Sequence, residues 1–133
     1  MNVPLFLSGD TQTLRFVEIS AERISEQLTL LEHETFGNIK SFELVGQKWS
    51  KRSKRELAPG ICTFIERFNL ATRWVVQEVL NPRQPRQRAI MIEKFIRIAF
   101  NCQQMNNFNA VFEITLALPV SYTHLTLPTK RIV

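Results

Sequence analysis

The sequence predicts an all-α fold, an irregular helical bundle, on three observations. Apolar residues recur at three- and four-residue spacing through four long segments, and no alternating pattern long enough for a strand occurs. Helix start and stop signals bound these segments, among them Ser20, Pro59, Pro85 and the pair Asn81-Pro82. The 133 residues, 44% hydrophobic and 22% charged, suffice for one globular domain or part of one.

Residues 1–19 are predicted to be a lead-in segment with a turn at Gly9-Asp10. Leu14 and Phe16, with Val17 as a weaker candidate, are its docking apolar side chains. This segment should therefore lie against the bundle without adding a long helix.

Ser20 is the expected N-cap of a first helix from Ala21 to about His33, because its hydroxyl can accept from the free amides of the first turn. Ile24, Leu28 and Leu31 fall on one face, which predicts the buried side. A shorter helix should follow from Ser41 to Gly46, closed by Trp49. It presents three apolar residues, Phe42, Leu44 and Val45.

The run KWSKRSKR at residues 48–55 is the densest basic stretch. Such runs can be nuclear-localisation or nucleic-acid patches. A solvated loop between helices is the favoured interpretation, because no second basic patch or ladder of stacking aromatics accompanies it.

A long helix is predicted from Pro59 to Asn81, since proline suits the first helical position and the residue before Pro82 avoids the helical region. Its expected apolar face comprises Ile61, Phe64, Ile65, Phe68, Ala71, Val75, Val76 and Val79. Its expected outward residues are Glu66, Arg67, Arg73, Gln77 and Glu78.

A further helix should run from Pro85 to about Gln104. Its apolar face is so wide that cover on two sides is expected, leaving a narrow solvent strip. The apolar residues are Ile90, Met91, Ile92, Phe95, Ile96, Ile98, Ala99 and Cys102, and the strip is Arg88, Glu93, Lys94 and Arg97.

The segment from Asn106 to Leu118 is predicted to be a central buried helix, capped by Asn106 and stopped by Pro119. One face carries Phe108, Val111, Phe112 and Leu116. The other sides are also apolar, with Ala110, Ile114, Ala117 and Leu118.

No motif for covalent catalysis, phosphate binding or metal coordination occurs, so no catalytic residue, cofactor or metal is expected. His33 and His124 lack partners at metal-ligand spacing. Cys62 and Cys102 are expected to be buried free thiols in a reducing compartment. The acidic residues Glu22, Glu26, Glu32, Glu34, Glu66 and Glu78 are assigned to helix surfaces.

The formal net charge of +5 falls to +3 without Lys130 and Arg131, which is weak evidence for a polyanionic partner. No signal-peptide core or membrane-spanning window occurs in the sequence. A cytoplasmic location is therefore expected.

Residues 20–118 resemble the first half of the catalytic domain of Ras-family guanine-nucleotide exchange factors of the Son-of-sevenless type. Four blocks in the family's order carry the resemblance. They are EQLTLLE at 26–32, ELVG at 43–46 with WSK at 49–51, FIERFN at 64–69 with WVV at 74–76, and KFIRIA at 94–99 leading into NNFN at 106–109.

The resemblance implies a domain that is not itself an enzyme and that promotes GDP release from a Ras-family small GTPase by binding its switch II segment. By resemblance, Ile65 and Phe112 line the apolar pocket for switch II, and Asn69 lies on the same exposed helix face; ordinary core packing is the alternative for Ile65 and Phe112. The partner could be of the Ras, Rap or Ral type. No nucleic acid and no direct membrane insertion is expected, and domains absent here could recruit the protein to membranes.

Residues 119–133 depart from the family pattern, and VSYTHLTLPT at 120–129 resembles the in-frame translation of a transposon mosaic-end sequencing adapter. They are expected to be a non-native tail after a partial catalytic domain at 20–118. In the family a helical hairpin in the second half of the domain opens switch I, so the fragment should be inactive in exchange. A non-catalytic GTPase-docking or scaffold module is the alternative function.

Overall fold

The computed structural model describes the backbone of residues 15–131 and the side chains of residues 15–121. All regular elements in that part of the chain are helical, which confirms the all-α prediction. In order they are a 3-10 helix Phe16–Glu18, α1 Ala21–Gly37, α2 Ser41–Leu44, a 3-10 segment Val45–Ser50, α3 Lys54–Leu57, α4 Pro59–Leu80, α5 Pro85–Gln104 and α6 Phe108–Arg131. Gly9-Asp10 and Leu14, predicted as a turn and a docking residue, lie outside the described residues.

In the bundle α4 packs most extensively on α6, and α5 packs on both α1 and α6. At the centre Phe16 is 1% exposed and stacks on Phe95, with 4.7 Å between ring centroids, and Trp74 meets both rings edge-on at 5.5 Å. Burying an aromatic side chain of this size stabilises a fold by about 1.5–3 kcal/mol. Phe16 therefore docks the lead-in segment as predicted, whereas Val17 is exposed.

Small polar contacts bring α1 close to α5. The Ser25 hydroxyl donates to the Ala21 carbonyl at 2.7 Å and lies 3.3 Å from the Ile98 carbonyl. The Cys102 thiol donates to the Ser25 carbonyl at 3.9 Å. Both cysteines are buried free thiols, as predicted.

The predicted starts of α1, α4 and α5 are confirmed. The Ser20 hydroxyl accepts from the Arg23 amide at 3.2 Å, and Pro59 and Pro85 occupy the first helical positions of α4 and α5. α1 continues past His33 to Gly37. Local chemistry therefore sets where these helices begin.

The short helix α2 packs through its acidic residue, and not through its apolar residues. Phe42, Leu44 and Val45 are exposed, while Glu43 is fully buried against the start of α4. The helix ends at Leu44 because Gly46, with φ 70°, and the next residue adopt left-handed backbone conformations.

The predicted basic loop is exposed, but short helical turns occupy most of it. Lys48 Nζ lies 5.3 Å from the centroid of the Phe42 ring, and Arg55 forms an ion pair with Glu66. Neither contact assembles a ladder of stacking aromatics.

α5 has one buried face, so the prediction of cover on two sides is wrong. Phe95, Ile98 and Cys102 are fully buried, whereas Ile90 and Ile96 are each 55% exposed. Placing Lys94 in the solvent strip is also wrong. Its ammonium donates to the Phe16 and Ile19 carbonyls at 2.6 and 2.5 Å, because the long aliphatic stem reaches the lead-in segment.

The N-cap of α6 is Asn107, and not Asn106 as predicted. The Asn107 Oδ1 accepts from the Ala110 amide at 3.2 Å. Asn106 has φ 58°, its amide donates to Gln103, and the Asn107 amide donates to Cys102, so the two asparagines close α5 in a Schellman motif. Either asparagine could cap a helix, and the left-handed conformation of Asn106 leaves Asn107 to do so.

α6 continues through Pro119 to Arg131, so the predicted stop at Pro119 is wrong. Proline fixes φ at a helical value, and its cost inside a helix, about 3 kcal/mol, is a lost hydrogen bond and crowding. The prediction of a helix buried on all sides is also wrong, because only the face of Ala110, Ile114 and Ala117 is buried. That residues 119–133 are a non-native tail stays a prediction.

Candidate functional site

The first two predicted site residues lie on the solvent face of α4. Ile65 is 44% exposed, and Asn69 follows one turn later and is also exposed. Residues four apart share a helix face, so the two side chains are neighbours on α4. The buried face of the same helix carries Ala71, Val75 and Val79.

The third predicted residue, Phe112, belongs to an exposed apolar stripe on α6. We call the stripe the α6 ridge; its members recur every four residues and are Phe108, Phe112 and Leu116. Phe112 is 61% exposed. Because α4 and α6 adjoin, all three predicted residues lie on exposed faces of neighbouring helices, which argues against plain core packing for Ile65 and Phe112.

A polar layer lies beneath the α6 ridge. Glu113, one residue after Phe112, is 3% exposed, and its Oε1 accepts from the Asn109 side-chain amide at 3.2 Å. The Asn107 side-chain amide donates to Thr29 Oγ1 at 3.1 Å and so ties the start of α6 to α1. The ridge therefore rests on a hydrogen-bonded support.

Glu32 of α1 completes this layer, which corrects its assignment to the surface. It is partly buried, hydrogen bonds to Glu113, and lines with it a cavity of about 20 Å³ between α1, α4 and α6. Burial raises the pKa of both carboxyl groups, and the Glu32 charge raises that of Glu113 further. The sequence signal that was missed is the helical register, which places Glu113 three residues after Ala110 on the buried face.

Glu78 is also buried, at 4% exposure, so its assignment to the outward face of α4 is wrong. Its Oε1 has no hydrogen-bond partner among the described residues. Burial raises the pKa of this carboxyl. It lines an open cavity of about 430 Å³ with Arg15, Val17 and Gln87 of neighbouring elements.

Glu43 anchors the segment before α4. Its carboxylate accepts from the backbone amides of Lys40 at 2.6 Å, Gly60 at 2.7 Å and Ile61 at 3.1 Å. These hydrogen bonds, the one from Lys40 first, lower its pKa. Since the free amides at a helix start favour an anion, Glu43 fixes the end of α4 that leads to Ile65.

Within residues 15–121, no group of three His, Cys, Asp or Glu side chains is arranged to hold a metal ion. Burial raises the pKa of the Cys102 thiol to about 11. In the same part of the chain no helix is both long and apolar enough to cross a membrane.

Comparison with known proteins adds to this geometry. Residues 23–126 match the RasGEF domain. The chain is 36% identical over 116 residues to Ras guanine nucleotide exchange factor E of Dictyostelium discoideum, covering 87% of this chain and 11% of that protein. It is 38% identical over 122 residues to factor J of the same organism, covering 91% and 15%. It is 37% identical over 114 residues to Ras-specific guanine nucleotide-releasing factor 1 of Rattus norvegicus, covering 86% and 9%.

Proposed function

The chain belongs to the RasGEF domain family, and from this premise we propose that it forms the switch II-binding part of a guanine-nucleotide exchange module for a Ras-family small GTPase. The curated relatives are named as Ras guanine nucleotide exchange or releasing factors, and the chain spans only a small part of each. The observation that supports the proposal is the exposed α6 ridge on a helix that packs against α4, the helix whose solvent face carries Ile65 and Asn69.

The ridge has the character of a protein-binding surface. Three apolar side chains in one stripe, each between 53% and 61% exposed, make a larger patch than the single apolar residues that most surfaces carry. Aromatic anchors such as Phe112 dominate binding energy when a partner covers them. Asn69, one turn from Ile65 on α4, adds an exposed polar group on the neighbouring helix.

Exchange of this kind requires no covalent chemistry. A protein that binds the nucleotide-free GTPase more tightly than the loaded form lowers nucleotide affinity by the same coupling free energy. In the family a separate helical hairpin in the second half of the domain opens switch I, whereas residues 20–118 resemble the first half. The proposal is therefore that these residues bind a GTPase without accelerating GDP release on their own.

The binding arm of the test measures affinity of the 133-residue chain for nucleotide-free Ras, Rap and Ral proteins. Phe112→Ala and Ile65→Ala should weaken binding about tenfold or more. Phe100→Ala and Ile96→Ala are matched controls, because these α5 residues are 59% and 55% exposed and lie outside the ridge. Equal losses in both pairs, or no binding to any of the three GTPases, would refute the proposal.

The exchange arm measures release of a fluorescent nucleotide from the same GTPases. The 133-residue chain should leave the release rate unchanged while binding the nucleotide-free form. A clear acceleration would show that switch I can be opened without the hairpin, and would overturn this part of the proposal.

A further inference from the structure

We propose that Glu32 and Glu113 share one proton between α1 and α6, and that this carboxyl pair is a positioning device that holds the α6 ridge in its binding orientation. This inference rests on the proposed function, because it concerns the same GTPase-binding surface. It assigns a role to two residues that touch no partner themselves.

The two carboxyl groups lie where α1 meets α6, with Glu32 half-buried at the border of an open cavity of about 370 Å³. Glu113 is 3% exposed, and Asn109 donates to one of its oxygens at 3.2 Å. One oxygen of Glu32, Oε2, is buried and accepts no hydrogen bond from a described residue. Both groups line the same cavity of about 20 Å³, which leaves room for about one water molecule at most.

Two facing carboxylates in such a site cannot both stay ionised, because their repulsion is weakly screened there. The charged and titratable groups around them do not neutralise the pair. Arg67 of α4 lines the cavity but forms no ion pair with either carboxyl. The ion pair found among the described residues joins Arg55 to Glu66 instead. From α1 and α5, the nearby groups are His33 and the thiol of Cys102, whose pKa is raised. One shared proton satisfies both carboxyls.

The pair sits where it can control the ridge. Phe112 and Glu113 are adjacent on α6, so the helix cannot turn Glu113 toward water without turning Phe112 as well. Two turns of α6 are tied to α1 through this layer, first by the bond from Asn107 to Thr29 and then by the carboxyl pair. Loss of the shared proton should drive α6 away from α1 and move the ridge.

The test measures the affinity of the 133-residue chain for a nucleotide-free Ras protein from pH 6 to pH 9. Glu113→Gln and Glu32→Gln keep the shape and a neutral hydrogen-bonding group, so each mimics the protonated state. Glu93→Gln, a change of an exposed carboxyl on α5 away from the ridge, is the matched control and also reports the pH dependence of the GTPase. Relative to Glu93→Gln, the two pair variants should bind more tightly by about tenfold at pH 9 and equally at pH 6.

Identical pH profiles for the pair variants and the control would overturn the inference. If Glu113→Gln fails to fold, Glu32→Gln gives the same comparison, because it removes the second charge from the other helix.

A second readout needs no GTPase. The carboxyl carbon of Glu113, assigned by NMR from its loss in Glu113→Gln, should titrate well above 4.5 in the unmodified chain and at lower pH in Glu32→Gln. Titration near 4.5 in both would overturn the shared proton. If Glu113 titrates well above 4.5 as expected but no variant binds the GTPase at any pH, the proposed function is refuted, and with it the role of the pair in binding. The shared proton would stand in that case.

Discussion

Glu43 lies across the start of α4, with its Oε1 2.7 Å from the amide nitrogen of Gly60. A Cβ added to Gly60 would lie 2.8 Å from Glu43 Oε2 and 2.7 Å from the Asn38 carbonyl oxygen. The carboxylate and the glycine are therefore mutually required, because the anion reaches the helix start only where no side chain intervenes.

Gly60→Ala should destabilise the chain by about 1–3 kcal/mol, since the clash involves backbone as well as the Glu43 side chain. Gly37→Ala is the control, because its Cβ would meet nothing within 4 Å and alanine favours the helix. Urea denaturation monitored by circular dichroism measures both. A Gly60→Ala midpoint at or above that of Gly37→Ala would disprove the steric account.

Glu43→Gln should make the chain less stable above pH 5 and leave it little changed in acid. The folded-state pKa of Glu43 is lowered, so its stabilisation is present above the unfolded value of 4.5 and is lost as pH falls through the folded value. Denaturation midpoints at pH 7 and pH 3 give the comparison. A difference from the unmodified chain that is as large at pH 3 as at pH 7 would contradict this.

Stability should also decline as pH rises above about 4.5, because burial raises the pKa of Glu32, Glu78 and Glu113. A raised pKa contributes stability that is full below 4.5 and is lost as pH rises toward the folded value, at up to about 1.4 kcal/mol per pH unit for each proton held, where Glu32 and Glu113 together hold one. Glu78→Gln should reduce that slope, and Glu66→Gln should not. The unfolding free energies of both variants, measured from pH 5 to pH 9, test this prediction. The same dependence on pH in the two variants would contradict the claim that burial raises the pKa of Glu78.

Asn107→Ala should lower the free energy of unfolding by about 0.5–2 kcal/mol for the lost cap of α6. The total loss should be larger, because Thr29 also loses its hydrogen bond from Asn107. Asn106→Gly should cost nothing, because glycine suits the left-handed conformation at that position. Thermal unfolding of the two neighbouring variants distinguishes their roles. A larger loss in Asn106→Gly would restore Asn106 as the cap.

Lys94→Met should release the lead-in segment, because the ammonium holds the Phe16 and Ile19 carbonyls and lies 4.4 Å from the centroid of the Phe16 ring. Trypsin should then cut after Arg15 several times faster than in the unmodified chain. Arg97→Met, an exposed change one turn along α5, is the control. The same cleavage rate in both variants would show that Phe16 alone secures the segment.

The sequence predicts well what local chemistry decides. Ser20, Pro59 and Pro85 start their helices because a hydroxyl cap or a fixed φ acts over one turn. The prediction of Asn106 as the cap of α6 was wrong, because the cap depends on which asparagine adopts the left-handed conformation that closes α5.

Which face of a helix is buried depends on distant partners, and there the sequence predicted less. α6 is apolar on most sides, so periodicity could not show that Ala110 and Ile114 face the core while Phe112 faces solvent. Glu113 was missed because a carboxyl is buried only when groups far away in sequence, here Glu32, accompany it. The family resemblance named Ile65, Asn69 and Phe112, but it gave no reason to look one residue further.

The most extensive helix contact joins elements that are not adjacent in the chain. α4 packs most extensively on α6, and α5, which lies between them in sequence, packs on both α1 and α6. During synthesis the face of α4 that meets α6 therefore stays uncovered until α6 has followed. Because α6 completes contacts with both α4 and α5, we expect the chain to unfold as one cooperative unit.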